Sequence, residues 1–260
     1  MDIRDFFADV GRSVAFLSRL PMPSRLFDGH TTTMSVTVRG FPLAGLLVTL
    51  PSAAMLCLVL SLGGDPLVAA VLALIVQALV TGALHEDGLS DSFDGLFGGR
   101  DRDRALAIMK DSQIGSYGAV ALVLGLSLRA ASIAALGRTL SPIEAAICLL
   151  ALAVASRALM VWHWQALPPA RSTGVAVAAG MPAKSAVQLA LATAVVAYGM
   201  LLLPFASLPA AGVALVAGGA ACLAFTRYVR GRIGGHTGDT IGATQQICEA
   251  VMLAALATAL

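Results

Sequence analysis

Charge is what this sequence has least of. Only 12% of its 260 residues are Asp, Glu, Lys or Arg, against roughly 25% in soluble domains, and the mean hydropathy is +0.84. That balance excludes a water-soluble globular domain and predicts an integral membrane protein. Cysteine is scarce too: Cys57, Cys148, Cys222 and Cys248 each stand alone within an apolar stretch, with no C-x-x-C spacing. Neither a zinc site nor a disulfide framework is therefore indicated. There is no low-complexity tail, soluble second domain or obvious repeat, so residues 1–260 read as one membrane domain. The net charge of +2 gives no reason to expect a nucleic-acid partner.

What the chain does have is long apolar runs. Seven stretches, at 41–62, 67–85, 116–137, 143–164, 184–205, 208–226 and 241–260, approach the ~20 residues that a helix needs to cross a hydrocarbon core. They are continuous and rich in Ala and Leu, whereas barrel strands alternate apolar and polar residues. The fold class is therefore all-α, a polytopic membrane helix bundle. Ahead of it, at 1–39, Phe6, Phe7, Val10, Val14 and Leu17 recur at helical spacing, with Arg4, Asp9, Arg12 and Arg19 elsewhere. This predicts an amphipathic helix lying on the membrane surface, stopped by Pro21 and Pro23. The start lacks the basic end, apolar core and cleavage site of a signal peptide.

The basic residues orient the bundle, because they favour cytoplasmic loops. Of 17 Lys and Arg residues, Arg138 alone falls on one side, and Arg129 and Arg157 fall inside spans. The other side collects the rest, which predicts a cytoplasmic N-terminus and an external C-terminus in a bacterial inner membrane. Arg129 and Arg157 call for an interior acid, a substrate phosphate or snorkelling. Trp162, His163 and Trp164 read as an interfacial belt.

Against this background the acidic block at 85–95, HEDGLSDSFDG, stands out. Asp87, Asp91 and Asp94 follow i, i+4, i+7 spacing, which on a helix places them within an arc of about 60°. Aligned carboxylates repel one another unless a cation intervenes, and oxygen-only ligands favour magnesium, with manganese the alternative. The rise from 87 to 94 is roughly 10 Å, better suited to two ions, or to one ion plus a free base, than to a single ion. His85 reads as a structural hydrogen-bonding residue, and Glu86 as either a support for the site or a solvent-facing acid.

A second patch at 234–242, GGHTGDTIG, precedes the last span on the same side. Its Gly234, Gly235, Thr237 and Gly238 offer backbone N–H groups to a phosphate at a helix start. Asp239 there reads as a metal ligand, a helix N-cap or both. Arg100, in the RDRDR run at 100–104, can hold a pyrophosphate. Acids for metal and amides for phosphate at one face predict a phosphorylated substrate.

These motifs resemble the cobalamin synthase family, the adenosylcobinamide-GDP ribazoletransferases. The resemblance rests on HEDGLSDSFDGL at 85–96, IMKDSQIGSYG at 108–118, GGHTGD at 234–239, GATQQ at 242–246 with Glu249, and the earlier FLSRLPMP at 16–23 and FPLAG at 41–45. It implies a magnesium-dependent membrane enzyme. A ribose hydroxyl of α-ribazole, or of its 5′-phosphate, would attack the cobinamide-bound phosphoryl group of adenosylcobinamide-GDP and expel GMP. Asp87 and Asp91 would hold magnesium, Asp94 would take a second ion or the hydroxyl proton, and Asp239 with Asp111 would complete the metal or substrate shell. Two readings compete: a CDP-alcohol-type phosphotransferase, whose longer aspartate signature is absent because Leu89-Ser90-Asp91 follows Asp87-Gly88, and a divalent-cation transporter. Whether the working unit is a monomer or a homodimer stays open.

Overall fold

The computed structural model describes residues 3–27 and 34–260; of the expected N-terminal segment 1–39, residues 1, 2 and 28–33 lie outside them. Helices α1 (Ile3–Leu17), α2 (Met34–Thr37), α3 (Phe41–Ser61), α4 (Pro66–Thr81), α5 (Leu84–Gly98), α6 (Arg102–Ile108), α7 (Ser116–Thr139), α8 (Pro142–Ala166), α9 (Val175–Ala179), α10 (Lys184–Leu202), α11 (Leu208–Ile233) and α12 (Gly238–Ala259) follow one another, with no strand among the described residues. Six of them, α3, α7, α8, α10, α11 and α12, are long and apolar enough to cross a membrane. The chain is a multi-pass helical bundle.

Helix starts follow from local chemistry. The Asp65 carboxylate accepts from Leu67 N and Val68 N ahead of α4, with Pro66 in the first turn. Ser141 and Glu144 form a capping box at α8, and Ser207 caps α11. Each cap satisfies amides that lack an intrahelical partner.

The second expected span is shorter than its apolar run. Helix α4 stops at Thr81, because Gly82 (φ 65°) and Ala83 (φ 58°) both adopt the left-handed conformation that terminates helices. The chain then turns by 91° into α5, so the acidic block leaves the axis of α4 and packs on the first halves of α7 and α12. Helix α11 departs the other way, continuing to Ile233 rather than ending at 226. Its last turns carry basic residues that bond to neighbouring carbonyls: Arg230 to Ala166 O, and Arg232 to Leu96 O and Gly99 O.

Helices α8 and α12 form the centre. They bury 78% and 72% of their spanning residues, against 33–39% for the other four. Small residues let the helices close in: Ala69, Ala70, Ala73, Ala145, Ala151, Ala214 and Cys248 lie in the main core with Leu56, Leu136, Leu152 and Leu256. Such packing drives helix association where lipid is as apolar as the side chains. Outward-facing Leu50, Leu58, Val123, Leu124, Val195, Val196, Met200, Val213 and Val216 are exposed, the surface a bilayer would cover.

Helix α1 docks one face on the protein: Val14 and Leu17 pack with Phe41 and Trp164, and buried Asp9 pairs with Arg12 and Arg39 at 2.8 and 2.6 Å. Ile3 and Phe7 remain outward. The aromatic belt is not one, since His163 and Trp164 are fully buried. They end the central helix α8, and His163 bonds Thr226 Oγ1 and Thr240 Oγ1.

Candidate active site

Turns and loops divide unequally between the ends of the bundle. One end has the tight α3–α4, α7–α8 and α10–α11 connections. The other has α1, α5, α6, α9 and the segments 167–174 and 234–237, tied together by a parallel bridge between Pro169 and His236. Arg102 reinforces this end by donating to Ile233 O and Ala170 O.

On α5, Gly88 makes the site. A Cβ there would lie 2.7 Å from Asp239 O, so only glycine lets α5 rest on the first turn of α12. The contact sets Asp87 and Asp91 beside Asp239. Burial, then Asp87, Asp239 and Asp94, push the Asp91 carboxyl up to about 7, with Arg171 opposing. Its raised proton affinity marks a concentration of negative charge. Among the described residues, no three acidic, His or Cys side chains already converge as an ion-binding group. The oxygen-only donors and their mutual repulsion nevertheless suit a hard divalent cation that keeps part of its water or phosphate shell.

Asp94 points elsewhere. Its carboxylate accepts from Gly115 N at 2.7 Å and Gly118 N at 2.8 Å, holding the first turn of α7, whose amides have no intrahelical partners. A Cβ at Gly118 would collide with Asp94 and Ser90. The expected shared arc therefore divides, with Asp87 and Asp91 toward α12 and Asp94 toward α7.

The glycine-rich patch also divides by role. Gly234 (φ 75°) ends α11, and Gly235 is pressed against Pro168. His236 N donates to Pro168 O, while its Nδ1 bonds Leu167 O. Burial holds the His236 ring below the usual imidazole pKa, in its neutral form. Thr237, not Asp239, caps α12, exchanging hydrogen bonds with Thr240. Asp239 lies in the first turn, accepts from Thr237 Oγ1 at 3.1 Å and stands 3.8 Å from Arg171 Nη1. A cavity of about 270 Å³ opens here between Arg171, Thr173, His236, Gly238 and Asp239. A cation, a helix N-terminus and a neutral imidazole suit it to a phosphate. Arg100 and Asp111 are both exposed and line no part of it.

Sequence reasoning missed Arg171, which bonds Leu106 O at 3.0 Å. Its only signal was a basic residue directly after Pro168-Pro169-Ala170. It left Arg129 and Arg157 between three explanations, and the structure selects an interior acid. Arg129 meets Glu249 at 2.5 Å, Gln246 at 2.8 Å and Glu86 at 3.4 Å. Arg157 lies 3.5 Å from Glu249, which also accepts from Gln245 and Ser156. Glu86 is accordingly buried rather than solvent-facing, and His85 is buried beside it.

A family model described as cobalamin-5-phosphate synthase matches residues 9–257. Adenosylcobinamide-GDP ribazoletransferases from Rhizobium etli (strain CFN 42) and Rhizobium meliloti (strain 1021) are each 52% identical to this chain, covering all of it and 100% and 99% of themselves. The enzyme of that name from Azorhizobium caulinodans is 44% identical over 95% of this chain and 94% of its own. No solved structure matches. Full-length identity at this level, over a chain whose conspicuous acids gather at one end of a helical bundle, shows that the protein belongs to the cobalamin-5-phosphate synthase family.

Proposed function

We propose that the chain transfers the cobinamide phosphate of adenosylcobinamide-GDP to a ribose hydroxyl of α-ribazole, or of its 5′-phosphate, releasing GMP. The observation that carries this reading is the meeting of Asp87 and Asp91 on α5 with Asp239 on α12, beside Arg171 and the α12 N-terminus. Pyrophosphate cleavage needs positive charge around the phosphates and a base for the attacking hydroxyl. Arg171 and the α12 amides face the phosphates. Asp91, held on α5 beside Asp87 and Asp239, takes the hydroxyl proton on a carboxylate oxygen. Asp87 and Asp239 would hold magnesium, or manganese, which would neutralise the charge on the leaving phosphate. Asp94 holds α7 in place and is not assigned the proton.

The basic residues at this end of the bundle support a cytoplasmic site in the inner membrane, with the N-terminus inside. A cation transporter would keep unpaired acids along its interior, whereas here buried Glu249 and Glu86 are engaged by Arg129, Gln245 and Gln246. The test supplies purified protein in lipid with adenosylcobinamide-GDP, α-ribazole and magnesium. Asp91→Asn is expected to lower turnover roughly 10²–10⁴-fold, and Asp87→Asn or Asp239→Asn to abolish it or raise the magnesium requirement. Wild-type magnesium dependence in both of the latter would remove them from the site. No GMP release by the wild type would overturn the whole reading.

A further inference from the structure

A second cavity, of about 210 Å³, is lined in part by Asp87, Gly238 and Asp239. Its walls are apolar: Phe16 from α1, Phe41 from α3, Met160 and Trp164 from α8, and Ile241 from α12. Three of these residues form an aromatic run. Phe16 stacks on Phe41 with ring centres 5.9 Å apart, and Phe41 meets Trp164 at 6.4 Å. Two residues of this lining each carry an enclosed polar atom with no partner. Trp164 is 1% exposed and its indole N–H has no partner, and His85, 2% exposed, has none at Nε2. Buried donors and acceptors are usually paired, because an orphan loses its water with nothing in return.

We propose that this slot seats the benzimidazole base of the acceptor nucleoside, with the Trp164 N–H donating to the base's free ring nitrogen. The inference rests on the transferase reading and names the subsite within it. An indole N–H is a donor only, and the unsubstituted nitrogen of an N-ribosylated benzimidazole is an acceptor only. The rest of that bicycle is hydrocarbon, which suits walls of Phe, Met and Ile. Guanine fits poorly, because its carbonyl, amino and ring N–H groups would exchange water for an apolar wall. A corrin macrocycle is far too large. With the base inside, the ribose emerges at the rim, where Asp87 and Asp239 line the same cavity. The phosphates then lie on the Arg171 side of Asp239.

The test compares KM for each substrate separately. Trp164→Phe keeps the apolar wall and removes the donor. It is expected to raise KM for α-ribazole roughly three- to tenfold, the worth of one hydrogen bond, and to leave KM for adenosylcobinamide-GDP unchanged. The wild type should prefer α-ribazole to the riboside in which that nitrogen is replaced by CH, and Trp164→Phe should lose the preference. Because a buried Trp change can impair folding, Phe16→Ala provides an independent arm from the exposed rim of the slot. It should raise KM for α-ribazole alone. In Trp162→Phe protein, Trp164 becomes the only tryptophan, and α-ribazole without the second substrate should change its fluorescence. Active variants with unchanged KM for α-ribazole, a rise confined to adenosylcobinamide-GDP, or no fluorescence change would overturn the slot while leaving the transferase reading intact. Absence of GMP release by the wild type would instead overturn the reading beneath it.

Discussion

Glu249 is the residue on which the buried charges depend. Its carboxylate meets Arg129 at 2.5 Å, Gln245 at 2.5 Å and Arg157 at 3.5 Å, and both arginines are almost wholly buried. Removing one partner of a buried ion pair typically costs about 3–5 kcal/mol, because the other charge is left uncompensated. Glu249→Ala is therefore expected to lower the unfolding temperature markedly in detergent, and Glu249→Gln, which keeps an acceptor, less so. A combined Glu249→Leu and Arg129→Leu variant should recover part of the loss. If Glu249→Ala unfolds at the wild-type temperature, the network is not stabilising the bundle. The mid-span arginines were visible in the sequence because charge is so expensive there. Their partner was not, since Arg129 and Glu249 are 120 positions apart.

Helix α5 was legible from its acids. Gly88 accepts the backbone of α12, and Gly95 packs on Ala105 of α6 and on Met109 just after it. Gly88→Val should push α5 away from Asp239, costing roughly 1–3 kcal/mol as overpacking does. Turnover should fall by more than stability alone explains, because the carboxylates separate. Gly98→Ala serves as the control, since a Cβ there meets nothing closer than 3.8 Å. Equal activity in the two variants would show that the α5–α12 contact does not set the site. The bend before α5 was not readable. The apolar run read from the sequence continues to 85, and only the left-handed backbone at Gly82 and Ala83 ends the helix earlier.

At the scale of the whole molecule, the alternation of helix ends gathers residues 99–115, 167–174 and 234–237 on the face opposite 62–65, 140–141 and 203–207. The basic residues predict that the first group is cytoplasmic. In a background with the four native cysteines replaced, Ser207→Cys is expected to react with an impermeant maleimide in intact cells, and Ser172→Cys only after the membrane is opened. The reverse pattern would invert the topology and move the site to the outer face.

The sequence by itself determined that the chain is a helical membrane bundle, where most of its spanning helices begin and which family it resembles, and it singled out the 85–95 acids as candidates for chemistry. Those properties depend on neighbours within a turn or two of helix, or on residues compared position by position. Only the tertiary structure decided that Asp94 serves α7 while Asp239 joins Asp87 and Asp91, that Arg171 faces them, and that an apolar slot opens beside them. Helical periodicity assigns each side chain to a face of its own helix. Which helix that face meets depends on how small residues let distant segments pack, a choice no local spacing records.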